Sequence, residues 1–353
     1  MMKTGETVVL PFPIAYIPIK KLALINFEKE PDKEYTGLEL QYLSGEAFGS
    51  GYRIIAWRID GYVDVYDEFT LTKPDPKSFQ VAGRGLKEYY QVAIQKVRFE
   101  KGKLSFKFTD KRGRRISVFI EEHTSRKTKG ISLLAPVGSS SENPVYLPLI
   151  YLVEFDFLRK KGTEAEVKIA GKKMKLDSFP FPSPKDWQWR FYTRWTMESF
   201  IIEFAEEKEA VLKEWSLNSS GKVVDGSFIY HFHENKLTEI SFQEDHPLHV
   251  QFQEGIPDIR TMQPGTSAHG VFSITAGDGM GKIEGTYSVE RHEETVELEM
   301  VPDGGWVPEP KTLLTKILFH KKSMFCSWPK TYRYRQTVHL SSLFSKSVWK
   351  RIT

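Results

Sequence analysis

The sequence predicts an all-β protein: two consecutive antiparallel β-barrel or β-sandwich domains, residues 1–178 and 179–353, related by an internal duplication. Three observations carry that expectation. Apolar and polar residues alternate with period two in runs such as KLSFKF, RISVFI, SFIYHF and TEISFQ, each ended by Gly, Asn, Asp or Pro. Long helical patterns are nearly absent. Residues 99–122 also match residues 232–254: FEKGKL falls on FHENKL at an offset of 133, Phe106 and Phe108 on Ile240 and Phe242 at 134, and Ile116, Val118 and Ile120 on Leu248, Val250 and Phe252 at 132. Both copies read as three-strand meanders, with the offset changes at turns or a bulge. So long a spacing excludes a solenoid and points to duplicated domains.

Taken in order, the chain opens with MMKTGETVVLPFPIAYIPIKK, where Pro11, Pro13 and Pro18 break the apolar run and no small-residue cleavage site follows. This is not a signal peptide, and no apolar run is long enough to span a bilayer, so cytoplasmic residence is expected. WRIDGYVDVYDEF, residues 57–69, places Tyr62, Asp64 and Tyr66 on one face of a strand. They are candidates to line a ligand cavity, with Asp64 as acid or base if burial raises its pKa; an outer face of cross-strand tyrosine pairs is the plainer reading. APVGSSSENP, residues 135–144, is a loop within the first domain, and GTEAEVKIAGKKMKL resumes the alternation. The seam is LDSFPFPSPKDW, residues 176–187, whose three prolines favour an extended connector.

Beyond the seam, DWQWRFYTRW sets Trp187, Trp189 and Phe191 on one side of a strand and Arg190, Tyr192 and Arg194 on the other. Arginine forks on a polar face can clamp a carboxylate or phosphate, so Arg190, Tyr192 and Arg194 join the ligand-binding candidates; surface solubility is the competing role. ESFIIEFAEEKEAVLKEWSL, residues 198–217, is helical in composition but alternates at Phe200, Ile202 and Phe204, which favours a hairpin turned at EEKE. WPKTYRYRQTVHL repeats the arginine theme with Arg333 and Arg335.

Four of the nine histidines lie in YHFHENKLTEISFQEDHPLHVQF, residues 230–252. His231 and His233 share a face, Glu239 follows on the returning strand and His269 comes later, a set similar to the cupin HxH, Glu and His metal ligands. Five residues separate His233 from Glu239 where the cupin motif has three or four, and PGTSAH does not reproduce its PxGxxH. Parity favours another reading: Phe228, Tyr230 and Phe232 form the core stripe, and the imidazoles take the hydrated side. On that reading the chain has no metal and no cofactor.

Composition excludes further classes. Cys326 is the only cysteine, so there is neither an intrachain disulfide nor a zinc–cysteine cluster. The net charge of +4 divides into +7 for residues 1–180 (30 basic, 23 acidic) and −3 for the rest (20 basic, 23 acidic), without the patch that nucleic acid demands. GDGMGK fails as a P-loop because Ala276 and Ile283 stand where glycine and Ser or Thr are needed.

A proline-marked seam between two β-domains that share a meander resembles the tandem lipocalin-like proteins, which include carotenoid hydratases, tocopherol cyclase and Diels–Alderase-type cyclases. The resemblance covers the whole chain at the level of architecture, with no family motif to carry over. It implies a cavity for a bulky apolar molecule. The expected function is therefore binding of a hydrophobic small molecule, terpenoid or fatty. Two enzymatic alternatives stand beside it. One hydrates, cyclises or isomerises such a molecule through Asp64, Arg190 and Arg194; the other is a cupin-like metal enzyme.

Overall fold

A computed structural model describes residues 6–12, 14–28, 32–74, 76–79, 83–123, 131–136, 148–177, 188–194, 199–203, 209–243, 247–277, 279–319 and 332–351. In chain order the strands begin with β1 (Thr7–Val9), β2 (Ala15–Asn26), β3 (Tyr35–Gly45), β4 (Gly49–Arg58), β5 (Val63–Asp67) and β6 (Leu86–Gln91). There follow β7 (Gln95–Glu100), β8 (Lys103–Thr109), β9 (Arg115–Glu122), β10 (Ile131–Pro136), β11 (Pro148–Arg159), β12 (Thr163–Ile169) and β13 (Lys172–Met174). Beyond the seam come β14 (Gln188–Arg194), β15 (Ser199–Glu203), β16 (Glu209–Val211), β17 (Glu214–Ser216), β18 (Lys222–Asp225), β19 (Phe228–His233), β20 (Lys236–Phe242) and β21 (Leu248–Pro257). The chain closes with β22 (Ser267–Ala276), β23 (Lys282–Arg291), β24 (Thr295–Val307), the short helix α1 (Leu313–Phe319), β25 (Tyr332–His339) and β26 (Phe344–Arg351).

The all-β class follows from the alternation. In β8 and β9 the side chains of Leu104, Phe106, Phe108, Ile116, Val118 and Ile120 are buried, and the polar residues between them face outward. Each such side chain contributes about 1.5–3 kcal/mol on leaving water, which fixes the register against a one-residue slip. Two sheets sandwich this first core: nine strands in the order β10-β11-β14-β2-β3-β4-β5-β6, with β15 beside β11 and β2, and five strands in the order β13-β12-β9-β8-β7. β14 and β15 lie end to end in one position, pairing with Leu22–Ile25 and with Ala15–Ile19 of β2 respectively. Among the described residues all ladders are antiparallel except β5–β6, which is parallel and reached through the 3-10 turn Pro76–Phe79.

The second core belongs to a ten-stranded antiparallel sheet, β16-β26-β25-β24-β23-β22-β21-β20-β19-β18. Among the described residues no sheet closes into a barrel. The edge strands β16 and β18 do not pair, and the chain crosses from one to the other through β17, which pairs instead with β1. Val8, Val9, Leu10 and Phe12 are buried in this second core, so the first residues of the chain complete the second half. Arg260 ties them down: it holds Asp258 through Nε and Nη2, donates to the Thr7 carbonyl at 2.6 Å and pairs with Glu214 at 3.1 Å.

The structure bears on three expectations. The stretch 198–217 contains no helix among its described residues, but neither is it a hairpin: β15 pairs with β2 and β11, whereas β16 pairs with β26. The alternation was genuine, and the partners were distant strands. Sheet membership also crosses the boundary at 178/179, because β14 and β15 complete the first half's sheet and β1 packs in the second. The third point concerns the matched meanders, whose equivalent positions pair alike except at the end of the third strand. Phe99 faces Leu104 as Phe232 faces Leu237, and Phe106 faces Val118 as Ile240 faces Val250, but Leu104 faces Ile120 whereas Leu237 faces Ile256 and not the matching Phe252. The step in offset from 133 to 134 falls between Leu237 and Ile240. There both ladders of β20 shift register, so Thr238 is the extra residue of a β-bulge.

Candidate functional site

Asp64 and Tyr66 lie at the centre of a buried ionic cluster. β5 is covered on both faces, so neither is on an outer surface, and both side chains are inaccessible. Local turns build the cluster. The β4–β5 hairpin turns at Gly61, with φ of 82°, and leaves Arg58 and Asp60 at the rim. In the β8–β9 turn, Asp110 Oδ1 accepts from the backbone N–H groups of Arg112 and Arg114, and Gly113 takes a φ of 73°. That turn swings Lys111 and Arg114 from the five-stranded sheet onto the nine-stranded one. Asp32 accepts from the N–H groups of Glu34 and Tyr35 and so sets the entry to β3.

The charges interlock. Arg58 holds Asp60 with two bonds and reaches Glu34 at 3.1 Å and Asp64 at 3.0 Å. Lys111 Nζ contacts Glu34 at 3.2 Å, Asp64 at 3.0 Å and Glu88 at 2.7 Å. Arg114 binds Asp110 at 2.7 Å, Asp32 at 3.0 Å and Glu34 at 3.0 Å. Tyr35 donates to Asp64 Oδ2 at 3.3 Å, and its oxygen lies 2.8 Å from that of Tyr66. Burial pushes the Tyr66 phenol up to about 12 and raises Tyr35 further, with its bond to Tyr66 as the second cause. Lys111 and Tyr90 hold the Glu88 carboxyl below its usual range. Each cation here bridges carboxylates from different elements. The cluster is thus a clamp between two sheets, whose buried phenols stay protonated.

The other predicted residues are dispersed. Tyr62 is half-buried outside the clamp, with Lys87 and Arg84 over its ring at 4.9 and 5.9 Å. Arg190, Tyr192 and Arg194 lie on β14 as expected of a strand; their side chains are outside the described residues. Strands β2, β3 and β4 stand between β14 and β5, a separation of about 19 Å across the sheet.

The histidines occupy the hydrated side of the second sheet. Phe228, Tyr230 and Phe232 are buried, His231 is half-buried and His233 is exposed. His231 Nε2 is 3.0 Å from Ser241 Oγ, while Glu239 pairs with His249 Nδ1 at 2.6 Å. His231 faces Glu239, and their row runs on through Gln251 to Ser273. His269 lies four residues from Ser273 along β22, about 13 Å away, so it does not join His231, His233 and Glu239 around one ion. Among the described residues no group of three or more His, Cys, Asp or Glu is arranged to hold a metal.

A second constellation escaped the sequence reading. On the core side of the ten-stranded sheet, Tyr287, Met300, Tyr334 and Trp349 stand directly opposite one another across β23, β24, β25 and β26, all buried. Phe12 covers the row, its ring 6.0 Å from Tyr334 and 6.1 Å from Phe252, and Phe252 meets Tyr287 edge-on at 5.6 Å. Beside the row lie Gln336, Ser345 and Ser347, at most 2% exposed. Gln336 Nε2 donates to Ser345 Oγ at 2.7 Å, yet Gln336 Oε1, Trp349 Nε1 and Tyr287 Oη have no hydrogen-bond partner. Burial, with Glu254 adding to it, pushes the Tyr287 phenol up to about 12. The missed signal was a glutamine at core parity in YRYRQTVHL. The alternating Arg333 and Arg335 both pair with Glu299 on the outside, at 3.4 and 2.6 Å.

Comparison with protein-family models, curated proteins and solved structures returned no match.

Proposed function

We propose that this chain is a tandem, duplicated lipocalin-like protein that binds a hydrophobic small molecule, terpenoid or fatty, against the core side of its ten-stranded sheet. The observation that carries the reading is the row Tyr287, Met300, Tyr334 and Trp349 under Phe12, an apolar wall that includes buried polar atoms without partners. Native interiors satisfy almost all such atoms, and ligand sites are apolar surfaces with a few polar groups held ready. The shared pairing of Phe99 with Leu104 and Phe232 with Leu237, and of Phe106 with Val118 and Ile240 with Val250, supports the duplication. The clamp around Asp64 serves stability in this account: Asp64 Oδ2 takes Arg58, Lys111 and Tyr35, and Asp64 Oδ1, although also buried without a partner, sits among paired charges and not on an apolar wall.

Native mass spectrometry of protein purified from its own host without detergent tests the reading. An apolar molecule should be retained by the wild type and lost from Tyr334→Ala, with circular dichroism showing the sheet intact. Wild-type protein that carries no such molecule and takes up no apolar probe would refute it.

A further inference from the structure

Resting on that reading, we infer that the ligand is electrically neutral and carries a group that both donates and accepts a hydrogen bond, an alcohol or an amide, seated between Gln336 and Trp349. Gln336 faces Ser347 across the β25–β26 ladder and Trp349 is two residues further on, so the two side chains are diagonal neighbours on one face. With the amide set so that Nε2 serves Ser345, the Gln336 oxygen can only accept and the Trp349 indole N–H can only donate. A hydroxyl or amide answers both at once. A carboxylate answers only the indole and sets its charge against the amide oxygen.

The surroundings argue the same way. Among the described residues from 209 onward no lysine, arginine or histidine is buried, and the one buried charged side chain, Asp258, is already held by Arg260. An anionic head group would therefore enter an apolar wall with no counter-charge, which is costly, whereas a neutral polar group replaces two missing hydrogen bonds. Tyr287 lies three strand spacings across the row, about 14 Å from Trp349, and offers a second polar contact at the far end of an elongated molecule.

The test titrates the full-length protein with 1-dodecanol, dodecanamide and dodecanoate at pH 8, below their aggregation concentrations, by calorimetry and native mass spectrometry. The alcohol and the amide should bind at least about tenfold more tightly than dodecanoate. Trp349→Phe and Gln336→Leu should each weaken the alcohol about 5–10-fold. Should Gln336→Leu fail to fold, Trp349→Phe alone decides, because it removes an N–H that has no partner in the protein. Dodecanoate binding as tightly as the alcohol overturns the neutral head group while leaving the apolar site standing. Undiminished alcohol binding in folded Trp349→Phe overturns the proposed seat. If none of the three probes binds, the apolar-ligand reading itself has failed.

Discussion

The ion pair between Arg53 and Asp67 offers a quantitative test of how this fold handles buried charge. The two residues face each other across the β4–β5 ladder, joined by two bonds of 2.8 Å, Nε to Oδ1 and Nη2 to Oδ2. Their side chains are 5% and 0% exposed. Tyr89 adds a 3.3 Å bond to Asp67, and the guanidinium lies 5.0 Å over the Phe79 ring. Removing one partner strands the other charge out of water, so Arg53→Met or Asp67→Leu alone should cost about 3–5 kcal/mol. Removing both replaces the pair with apolar side chains and should cost about 1 kcal/mol or less. A double-mutant cycle would then give a coupling of at least about 3 kcal/mol. Urea unfolding followed by tryptophan fluorescence measures all four proteins. Single variants costing under about 1 kcal/mol and adding in the double, as an exposed pair would, would refute the reasoning.

Glu34→Gln should destabilise by about 3–5 kcal/mol, because Arg58, Lys111 and Arg114 lose the carboxylate they share, whereas Glu166→Gln at the exposed Lys168 pair should leave the denaturation midpoint unchanged. Burial holds the His231 imidazole below its ordinary range, with the neighbouring carboxylate of Glu239 opposing. The unfolded chain therefore takes up that proton first, and stability should fall as pH drops below about 6.5, a loss that His231→Gln removes when melting midpoints at pH 8 and pH 5 are compared. Gly270 lies under Tyr287, whose hydroxyl stands 2.6 Å from where a Cβ would be. Gly270→Ala should thus cost about 1–3 kcal/mol and, by displacing the Tyr287 ring, alter apolar-probe binding; unchanged melting would show that the ring yields freely.

Side-chain parity made much of this protein readable from its residues alone. The strands, the burial of Phe228, Tyr230 and Phe232 and the hydrated place of His231 and His233 all follow from a period of two, because a pleated strand must send alternate side chains to opposite faces. Even the Thr238 bulge showed as a one-residue step between two similar segments. Which strands would meet was decided only in three dimensions. Nothing near Asp64 announces that the turn at Asp110–Arg114, some 45 residues later, delivers Lys111 to it and Arg114 to Glu34 beside it. Nor does the alternation in 198–217 show that its strands join three different sheets. The row from Tyr287 to Trp349 exists because four strands stack in one register, and Phe12 reaches it from the far end of the chain. Local pattern fixes which way a side chain points, but the other walls of a site come from distant segments, and their arrival is a property of the packed whole.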